Sequence, residues 1–156
     1  MDFAIRKADL ADLPVVAPLF DQYRQFYRQS SNIASAEEFF RQRLERNESV
    51  VLLAARADAV ANTGVGFVQL YPSFSSIRMS RIWILNDLFV APKFRKLGVA
   101  RELLRQTKAF AVQRGASKIA LSTARDNHAA QSLYQSEGYR LDSEFLQFSL
   151  SLCGAG

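Results

Sequence analysis

The chain has 156 residues, 49% of them hydrophobic and 22% charged, so one ordinary globular domain accounts for its length and a wholly disordered chain is excluded. Its formal net charge of +5 favours an anionic partner or reflects solvated surface cations. One Cys and one His exclude a disulfide framework and a His/Cys zinc site. Without a signal-peptide core or a membrane-length apolar run, we expect a soluble cytoplasmic protein with one domain over residues 1–156.

The first part of the chain predicts one strand followed by two helical segments. Residues 3–8 alternate in the manner of a short strand. In the next segment Pro18 is expected to begin or bend a helix, because it lacks a backbone donor. A second helix is predicted over 36–46. The first helical segment also carries an aromatic stripe that packs in the core or forms the wall of an acceptor pocket: Phe20, Tyr23, Phe26 and Tyr27.

The middle of the chain changes to the patterns of buried strands. Residues 50–55 are one continuous apolar run, and a turn at 62–64 leads to a second strand over 65–71. Residues 77–90 are a longer strand candidate. Its length exceeds that of an ordinary strand, so we expect a bulge or bend near 86–88.

The last third alternates between helix and strand. A helix from about Val99 ends at Gly115, a strand covers 119–123, and a helix capped by Asp126 or Asn127 runs to Glu137. A terminal strand is predicted over 146–152, where apolar and polar residues alternate. Strands interleaved with helices indicate an α/β or α+β fold built on a mixed sheet.

The loop between Val90 and Val99 is the most informative stretch. Pro92 stops the strand, and residues 95–100 are first basic and then small. The first amides of a helix are unpaired and carry partial positive charge, so a diphosphate can bind there, and Gly98 allows close approach. The plain alternative is a strand-to-helix turn with solvated cations. Neither Gly-x-Gly-x-x-Gly nor Gly-x-x-x-x-Gly-Lys-Ser/Thr occurs in the chain.

Two motifs resemble those of the Gcn5-related N-acetyltransferase (GNAT) family. Arg95-x-x-Gly98-x-Ala100 is similar to Gln/Arg-x-x-Gly-x-Gly/Ala, the motif A of that family. Asn127, followed seven positions later by Tyr134 and then by Gly138-Tyr139, is similar to motif B. The two stand in the family's order, with a helix and a strand between them. The resemblance implies a GNAT-like sheet of six or seven mostly antiparallel strands, flanked by about four helices.

The resemblance also implies acetyl-CoA as cosubstrate, without a metal. The pyrophosphate is expected at the amides of 96–101, and the pantetheine arm beside the end of the long strand, which must separate from its neighbour. A backbone amide near Phe89 would polarise the thioester carbonyl. The expected cofactor-binding residues are Leu88, Phe89, Val90, Arg95, Lys96, Leu97, Gly98, Val99, Ala100, Arg101, Asn127 and Ala130.

Tyr134 and Asp87 are the catalytic candidates. By resemblance, Tyr134 is the general acid that protonates the departing thiolate. The ordinary pKa of a phenol, about 10, lies close to that of a thiol, about 8.5, so this proton transfer costs little free energy. A buried core aromatic is its structural alternative. Small-amine members often carry Glu-Asp where this chain has Asn86-Asp87, so the base is either Asp87 or a water chain. Asp87 faces opposite to Asn86 unless the bulge changes the register.

The implied function is acetyl-CoA-dependent N-acetylation of a primary amine in a ternary complex. We expect a small polyamine-like or amino compound as acceptor, with a peptide or protein amine as the alternative. In another class, the chain is a CoA-binding sensor that does not transfer acetyl. Nucleic acid is not expected as a partner, since no recognition motif accompanies the positive charge. A homodimer is expected from the resemblance alone.

Overall fold

The structure of the protein is a computed structural model that describes residues 2–57 and 62–152. Its regular elements begin with a strand, continue through two helices and three further strands, and end with a helix, a strand and a helix. In chain order they are β1 (Ala4–Lys7), α1 (Leu13–Phe26), α2 (Ile33–Glu45), β2 (Val50–Ala57), β3 (Asn62–Ser75), β4 (Ser80–Val90), α3 (Val99–Gln113), β5 (Lys118–Leu121) and α4 (His128–Ser136).

One mixed sheet organises these elements, with strand order β1-β2-β3-β4-β5. The first four strands are antiparallel neighbours, and β5 runs parallel to β4. Helices α1 and α2 cover one face, where Phe67 contacts Phe20 and Phe40 at ring distances of 6.3 and 5.9 Å. Helix α3 covers the opposite face, where Phe110 lies 5.2 Å from Trp83. The predicted fold class is therefore confirmed, although the sheet has five strands in the described residues rather than six or seven.

The predicted terminal strand over 146–152 is the main difference. No strand is formed there, and Leu146, Phe148 and Leu150 are 84%, 91% and 84% exposed. Alternation shows that a segment suits the edge of a sheet, but a strand exists only where a neighbour supplies hydrogen bonds. In the single chain no neighbour does so.

Several other elements also differ from the sequence prediction in their bounds or continuity. Helix α1 runs unbroken through Pro18, because burial of its inner face against the sheet holds the helix despite one missing donor. Helix α2 begins earlier than predicted, since Asn32 caps it through Ser35 N–H at 3.0 Å. Strand β3 already begins at Asn62, where a turn was predicted, and β4 begins at Ser80 rather than at residue 77.

Candidate active site

Strands β4 and β5 separate at the point where a bulge interrupts β4. Gln69 of β3 lies opposite Asp87, whereas Leu70 lies opposite Leu85, so Asn86 has no partner in the register. Strand β5 pairs with β4 only as far as Leu85. A bulge bends its strand, and beyond Leu85 the edge of β4 that faces away from β3 is open. The predicted bulge near 86–88 is confirmed, and so is the separation of the two strands.

A cleft of about 710 Å³ lies in this opening, a volume within the range of small-molecule sites. It brings together every residue that the sequence predicted for the site except Asp87 and Leu97. The predicted residues on its wall are Leu88, Phe89, Val90, Arg95, Lys96, Gly98, Val99, Ala100, Arg101, Asn127, Ala130 and Tyr134.

The start of α3 presents unpaired amides to this cleft. Lys96 and Gly98 have φ angles of +62° and +81°, and the second of them is the N-cap of α3. No described residue accepts a hydrogen bond from the backbone N–H groups of 96–101, and no side chain caps the helix. A Cβ atom built on Gly98 would meet no protein atom within 4 Å. The loop can therefore receive an anion on its amides.

The basic side chains of the loop are used differently from one another. Arg95 folds back, with Nε donating to the Val90 carbonyl at 3.0 Å and its guanidinium 5.5 Å from the Phe89 ring centre. Arg101 Nη1 forms an ion pair with Glu137 and donates to Ser136 Oγ at 3.0 Å, which draws its guanidinium to the end of α4, while its backbone N–H has no acceptor among the described residues. Lys96 lines the cleft and has no ion-pair partner among residues 2–57 and 62–152.

Leu97 does not line the cleft. Its side chain is 53% exposed and lies outside the wall, so only its amide belongs to the row of free donors. Leu97 was predicted as a site residue because it lies between other site residues in the sequence. However, two residues of this loop have left-handed backbone conformations, so successive side chains point in different directions.

Helix α4 places Tyr134 on the opposite wall of the cleft. Asn127 caps this helix, its Oδ1 accepting the Ala130 N–H at 3.2 Å, so the amide of Ala130 is already used. Burial raises the pKa of Tyr134 to about 12, with a smaller contribution from Tyr27. The phenol is therefore protonated at neutral pH. Complete transfer of its proton to a thiolate costs more than an unperturbed phenol pKa implies, while hydrogen-bond donation is unaffected.

Asp87 lies behind the wall of the cleft rather than on it. Its carboxylate is buried, accepting hydrogen bonds from Gln69 Nε2 at 2.6 Å and Asn86 Nδ2 at 3.2 Å. Burial raises the pKa of Asp87, although hydrogen bonds from Gln69, Tyr23 and Asn86 oppose the shift. Tyr23 lines the cleft, and its hydroxyl donates to the Asn86 carbonyl at 3.5 Å. The phenol is near enough to help hold down the pKa of Asp87, so it lies between the cleft and this carboxylate. The expected alternation of Asn86 and Asp87 does not hold, because the bulge changes the register at Asn86. Asn86 is exposed and lines the cleft, yet its side chain still reaches the buried Asp87 carboxylate.

The aromatic stripe of α1 divides between the two roles left open by the sequence. Phe20 is buried and packs edge-on against Phe40 at 4.7 Å. Tyr23, Phe26 and Tyr27 line the cleft instead. The helical spacing places the four residues on neighbouring positions of α1, and only the packing of α1 on the sheet decides which of them reach the opening.

Several other wall residues were not singled out from the sequence. Ser122 and Thr123 follow the end of β5 directly, and Phe94 lies in the short helical turn before the amide loop. The position of Ser122 and Thr123 carried a usable signal, since residues that follow a strand at a point of strand separation face the opening. Phe94 offered no such signal.

The described residues contain neither a metal cluster nor a membrane span. No group of three or more His, Cys, Asp or Glu side chains within 2–57 and 62–152 is arranged to hold a metal ion. No helix in those ranges is long and apolar enough to cross a bilayer. His128 is an exposed residue at the start of α4, and Cys153 lies outside the described residues.

Comparison with known proteins agrees with this geometry. A relative from Bacillus subtilis (strain 168), the uncharacterized N-acetyltransferase YhfO, is 46% identical over 148 residues, covering 95% of this chain and 97% of the relative. The crystal structure of a probable acetyltransferase superposes with a TM-score of 0.88 at 42% identity, covering 96% of this chain and 97% of the other.

More distant structures share the fold alone. A ribosomal-protein-alanine N-acetyltransferase from Brucella melitensis biovar Abortus 2308 is 22% identical, with a TM-score of 0.81 over 97% of this chain and all of the other. The aminoglycoside N-acetyltransferase AAC(6')-Iy, solved with CoA, is 21% identical, with a TM-score of 0.77 over 97% of this chain and 96% of the other. The model of the "Acetyltransferase (GNAT) family" matches residues 16–139. This chain therefore belongs to the GNAT family and is an acetyl-CoA-dependent N-acetyltransferase.

Proposed function

We propose that this enzyme moves the acetyl group of acetyl-CoA directly to a primary amine of a small polyamine-like or amino compound, with both substrates bound at once. One observation carries the proposal: the free amides at the start of α3 open into the same cleft that Tyr134 lines. A diphosphate held on the amides of 96–101 directs the rest of the molecule along β4 toward that phenol. Intersecting initial-rate lines against both substrates are expected; parallel lines would indicate a covalent enzyme intermediate instead.

The open edge of β4 suits the amide-containing pantetheine arm. Ala91 N–H donates to the Val65 carbonyl on the β3 side, so alternation turns the peptide groups of Leu88 and Val90 toward the cleft. The backbone donor for the thioester carbonyl is thus Leu88 or Val90, rather than Phe89. Because Arg95 occupies the Val90 carbonyl, pairing there requires Arg95 to move, whereas Leu88 is available at once.

The proposed catalytic roles follow from which side chain can donate a proton and which can accept one. Acetyl-CoA supplies an activated thioester, and Tyr134 keeps a proton available beside the departing sulfur. The ammonium of the acceptor must lose a proton before attack. Asp87 receives that proton through Tyr23, whose hydroxyl lies beside Asn86, influences the pKa of Asp87 and lines the cleft. Asp87 therefore acts through another group rather than touching the amine.

The acceptor end of the cleft favours a cationic small molecule. Tyr23, Phe26 and Tyr27 form an aromatic wall above the buried Asp87 carboxylate, an arrangement that attracts an ammonium group. The fold does not decide the acceptor, since it serves a protein-acetylating enzyme and an aminoglycoside-acetylating enzyme alike. A peptide or protein amine remains the second candidate.

A panel of acceptors separates these functions. We expect thiol release from acetyl-CoA to be faster with polyamines and amino compounds than with peptides that carry a free N-terminus or lysine. Faster turnover of the peptides would transfer the proposal to a protein acceptor. Binding of acetyl-CoA with no thiol release on any member of the panel would instead favour the non-catalytic sensor.

Replacement of Asp87 by Asn tests the proton-accepting role. Turnover is expected to fall about 10- to 100-fold, and the decline of the wild-type rate on acidification through the raised pKa of Asp87 should disappear. Because that pKa is higher in the folded chain than in the unfolded one, the folded state is destabilised as pH rises through it. At neutral pH the variant should therefore melt at the same or a higher temperature.

Asp21 provides the matched control. It is also a buried aspartate, but hydrogen bonds from Ser31, the Asn32 N–H and Gln25 lower its pKa despite burial. Asp21→Asn should lower the melting temperature and leave the pH profile of turnover intact. An unchanged pH profile of turnover in Asp87→Asn would assign proton removal to a water chain.

The homodimer, the cytoplasmic location and the single domain over 1–156 stay predictions.

A further inference from the structure

Gln69 is a fully buried polar side chain on β3 that contacts the Asp87 carboxylate from the side of the core. The two residues lie directly opposite each other in the register of β3 and β4. Gln69 Nε2 donates to Asp87 Oδ2 at 2.6 Å. The other polar atom of the same amide, Oε1, is also buried and accepts no hydrogen bond from any residue within 2–57 and 62–152. Half of the amide is therefore paired and the other half is not.

The unpaired oxygen of this amide needs a physical reason. A buried carbonyl oxygen without a donor destabilises the folded state, whereas an apolar side chain of similar size would fill the same space with no unpaired atom. Holding an ionised Asp87 explains Nε2 but not Oε1. Ionised and protonated carboxyl groups have opposite requirements, however, and an amide carries both a donor and an acceptor. Oε1 therefore suits the protonated form of Asp87.

Protonation of Asp87 reverses what the carboxyl group requires from Gln69. Asn86 donates to Asp87 Oδ1 at 3.2 Å, so an added proton belongs on Oδ2, the oxygen beside the Gln69 amide. An O–H group at Oδ2 requires an acceptor, and Oε1 is the buried acceptor that lacks a donor. Rotation of the amide by half a turn brings Oε1 to that place. The rotation exchanges two groups of similar size, so it requires no cavity in the core.

Tyr71 supplies a partner for the amide nitrogen after this rotation. It is half-buried, two residues from Gln69 on the same face of β3, and it does not line the cleft. Burial raises the pKa of Tyr71 to about 12, and the Gln69 amide opposes this shift, so the amide lies close to the phenol oxygen. That oxygen can accept an N–H group of Nε2 while it keeps its own proton. Both polar atoms of the amide are then paired.

The titratable and charged groups around Asp87 come from three elements. Tyr23 of α1 helps to lower its pKa against the effect of burial, and Tyr71 of β3 is close enough to feel its charge. Arg43 of α2 faces Tyr71 but forms an ion pair with Glu48, with Nε 2.6 Å from Oε2. No Lys, Arg or His pairs with Asp87 in the described part of the chain. Asp87 therefore depends on hydrogen bonds rather than on a counter-charge.

We propose that Gln69 is a positioning residue for proton transfer: its amide donates through Nε2 to ionised Asp87 and rotates to accept through Oε1 from protonated Asp87. The carboxyl group is then hydrogen-bonded to the same residue before and after it takes the proton of the acceptor amine. Gln69 itself does not line the cleft, so it acts only through Asp87. The inference rests on the proposed function, in which Asp87 is the proton acceptor.

Replacement of Gln69 by Met tests the positioning role in turnover. Met has a similar length and no donor, so the core should stay filled and the variant should fold. Without the Nε2 donor the pKa of Asp87 should rise, and the decline of the rate on acidification should move upward by about 1 to 2 pH units. At pH values above that decline, the rate should return to within about fivefold of the wild type, which a distorted fold would not allow.

Gln25→Met is the matched control. Gln25 Nε2 likewise donates to a buried aspartate, Asp21, at 3.0 Å, but neither residue lines the cleft. This variant should leave the pH profile of turnover in place. A shift of the profile in Gln25→Met as large as that in Gln69→Met would contradict a specific role for Gln69.

Nuclear magnetic resonance on the full chain without substrates tests the rotation itself and requires no substitution at Gln69. The side-chain amide resonances of Gln69 should change with pH together with the carboxyl carbon of Asp87. In Asp87→Asn the new amide donates to Oε1 at every pH, so these resonances should stay in the form that the wild type shows in acid. Resonances that do not follow the titration of Asp87 would overturn the rotation.

The same titration separates this inference from the proposed function. An Asp87 carboxyl carbon that titrates at the same pH in Gln69→Met and in the wild type would overturn the positioning role. A titration that moves upward while the decline of the rate stays in place would instead overturn the proton-accepting role of Asp87, and with it the catalytic consequence of Gln69. Upward movement of both by the same amount is the expected result.

Discussion

Replacing Gly98 by Val is expected to weaken acetyl-CoA binding about 10- to 100-fold, which corresponds to the loss of one or two hydrogen bonds to a charged group. The Cβ of residue 98 would project into open space, where our assignment places the diphosphate. A branched side chain there keeps phosphate oxygens away from the free amides of 96–101. Titration calorimetry with acetyl-CoA measures the loss directly.

Gly115 separates this steric effect from backbone strain. It also has a left-handed φ, +68°, with no protein atom within 4 Å of a Cβ built on it, but it follows the far end of α3. Val at either position incurs the strain of the left-handed conformation, roughly 1–2 kcal/mol, so both variants should lose thermal stability to a similar degree. Only the Gly98 variant should lose affinity. Equal affinities in both variants would remove the phosphate site from this loop.

The second large effect is expected for Tyr134→Phe, which removes one oxygen atom from the wall of the cleft. We expect kcat to fall about 100-fold or more, while the dissociation constant of acetyl-CoA changes by less than about threefold. The proton on this phenol assists only the departure of the thiolate, so its loss affects the chemical step rather than ground-state binding. Single-turnover measurements at saturating amine check the chemical step itself.

Tyr139→Phe is the matched control for that variant. The Tyr139 ring lies 5.8 Å from Tyr134, and burial raises its pKa to about 12 as well, but it does not line the cleft. Its substitution should leave kcat within about twofold of the wild type. A comparable loss of turnover in both variants would mean that Tyr134 acts through packing, as an ordinary core aromatic.

The raised pKa of Tyr134 also predicts the alkaline side of the rate profile. A general acid acts only while protonated, so the rate falls as pH rises through its pKa. With a pKa of about 12 for Tyr134, no decline should occur between about pH 8 and about pH 10. A decline in that range, absent from Tyr134→Phe, would show that the phenol titrates there and that burial does not hold its proton.

Much of the site could be predicted from short stretches of the sequence. Gly98 and the small residue after it mark a helix start that an anion can approach, and seven residues are enough to bring Asn127 and Tyr134 to one helix face. The bulge was predictable because residues 77–90 are too long for one regular strand. Each of these inferences depends on backbone geometry within a few residues.

The position of Asp87 required the folded structure. Between its side chain and the cleft lies Tyr23, a residue 64 positions earlier on α1, and Gln69 from β3 holds the carboxylate in place. The sequence contains all three residues but no signal that joins them. Contacts between distant segments depend on how α1 packs across the sheet, which local periodicity does not determine.

The sequence by itself determined the order of strands and helices as far as α4, the glycine turn before α3 and the family, since these depend on residues that are neighbours in the chain. Only the tertiary structure decided which aromatic residues of α1 reach the cleft. It also decided that Arg95 bonds to the Val90 carbonyl and that Arg101 pairs with Glu137. Finally, it decided that residues 146–152 form no strand. The physical reason is the same for all three. The periodicity of a sequence shows which face of a helix or strand tends to be buried, but the surface that packs against this face comes from distant parts of the chain.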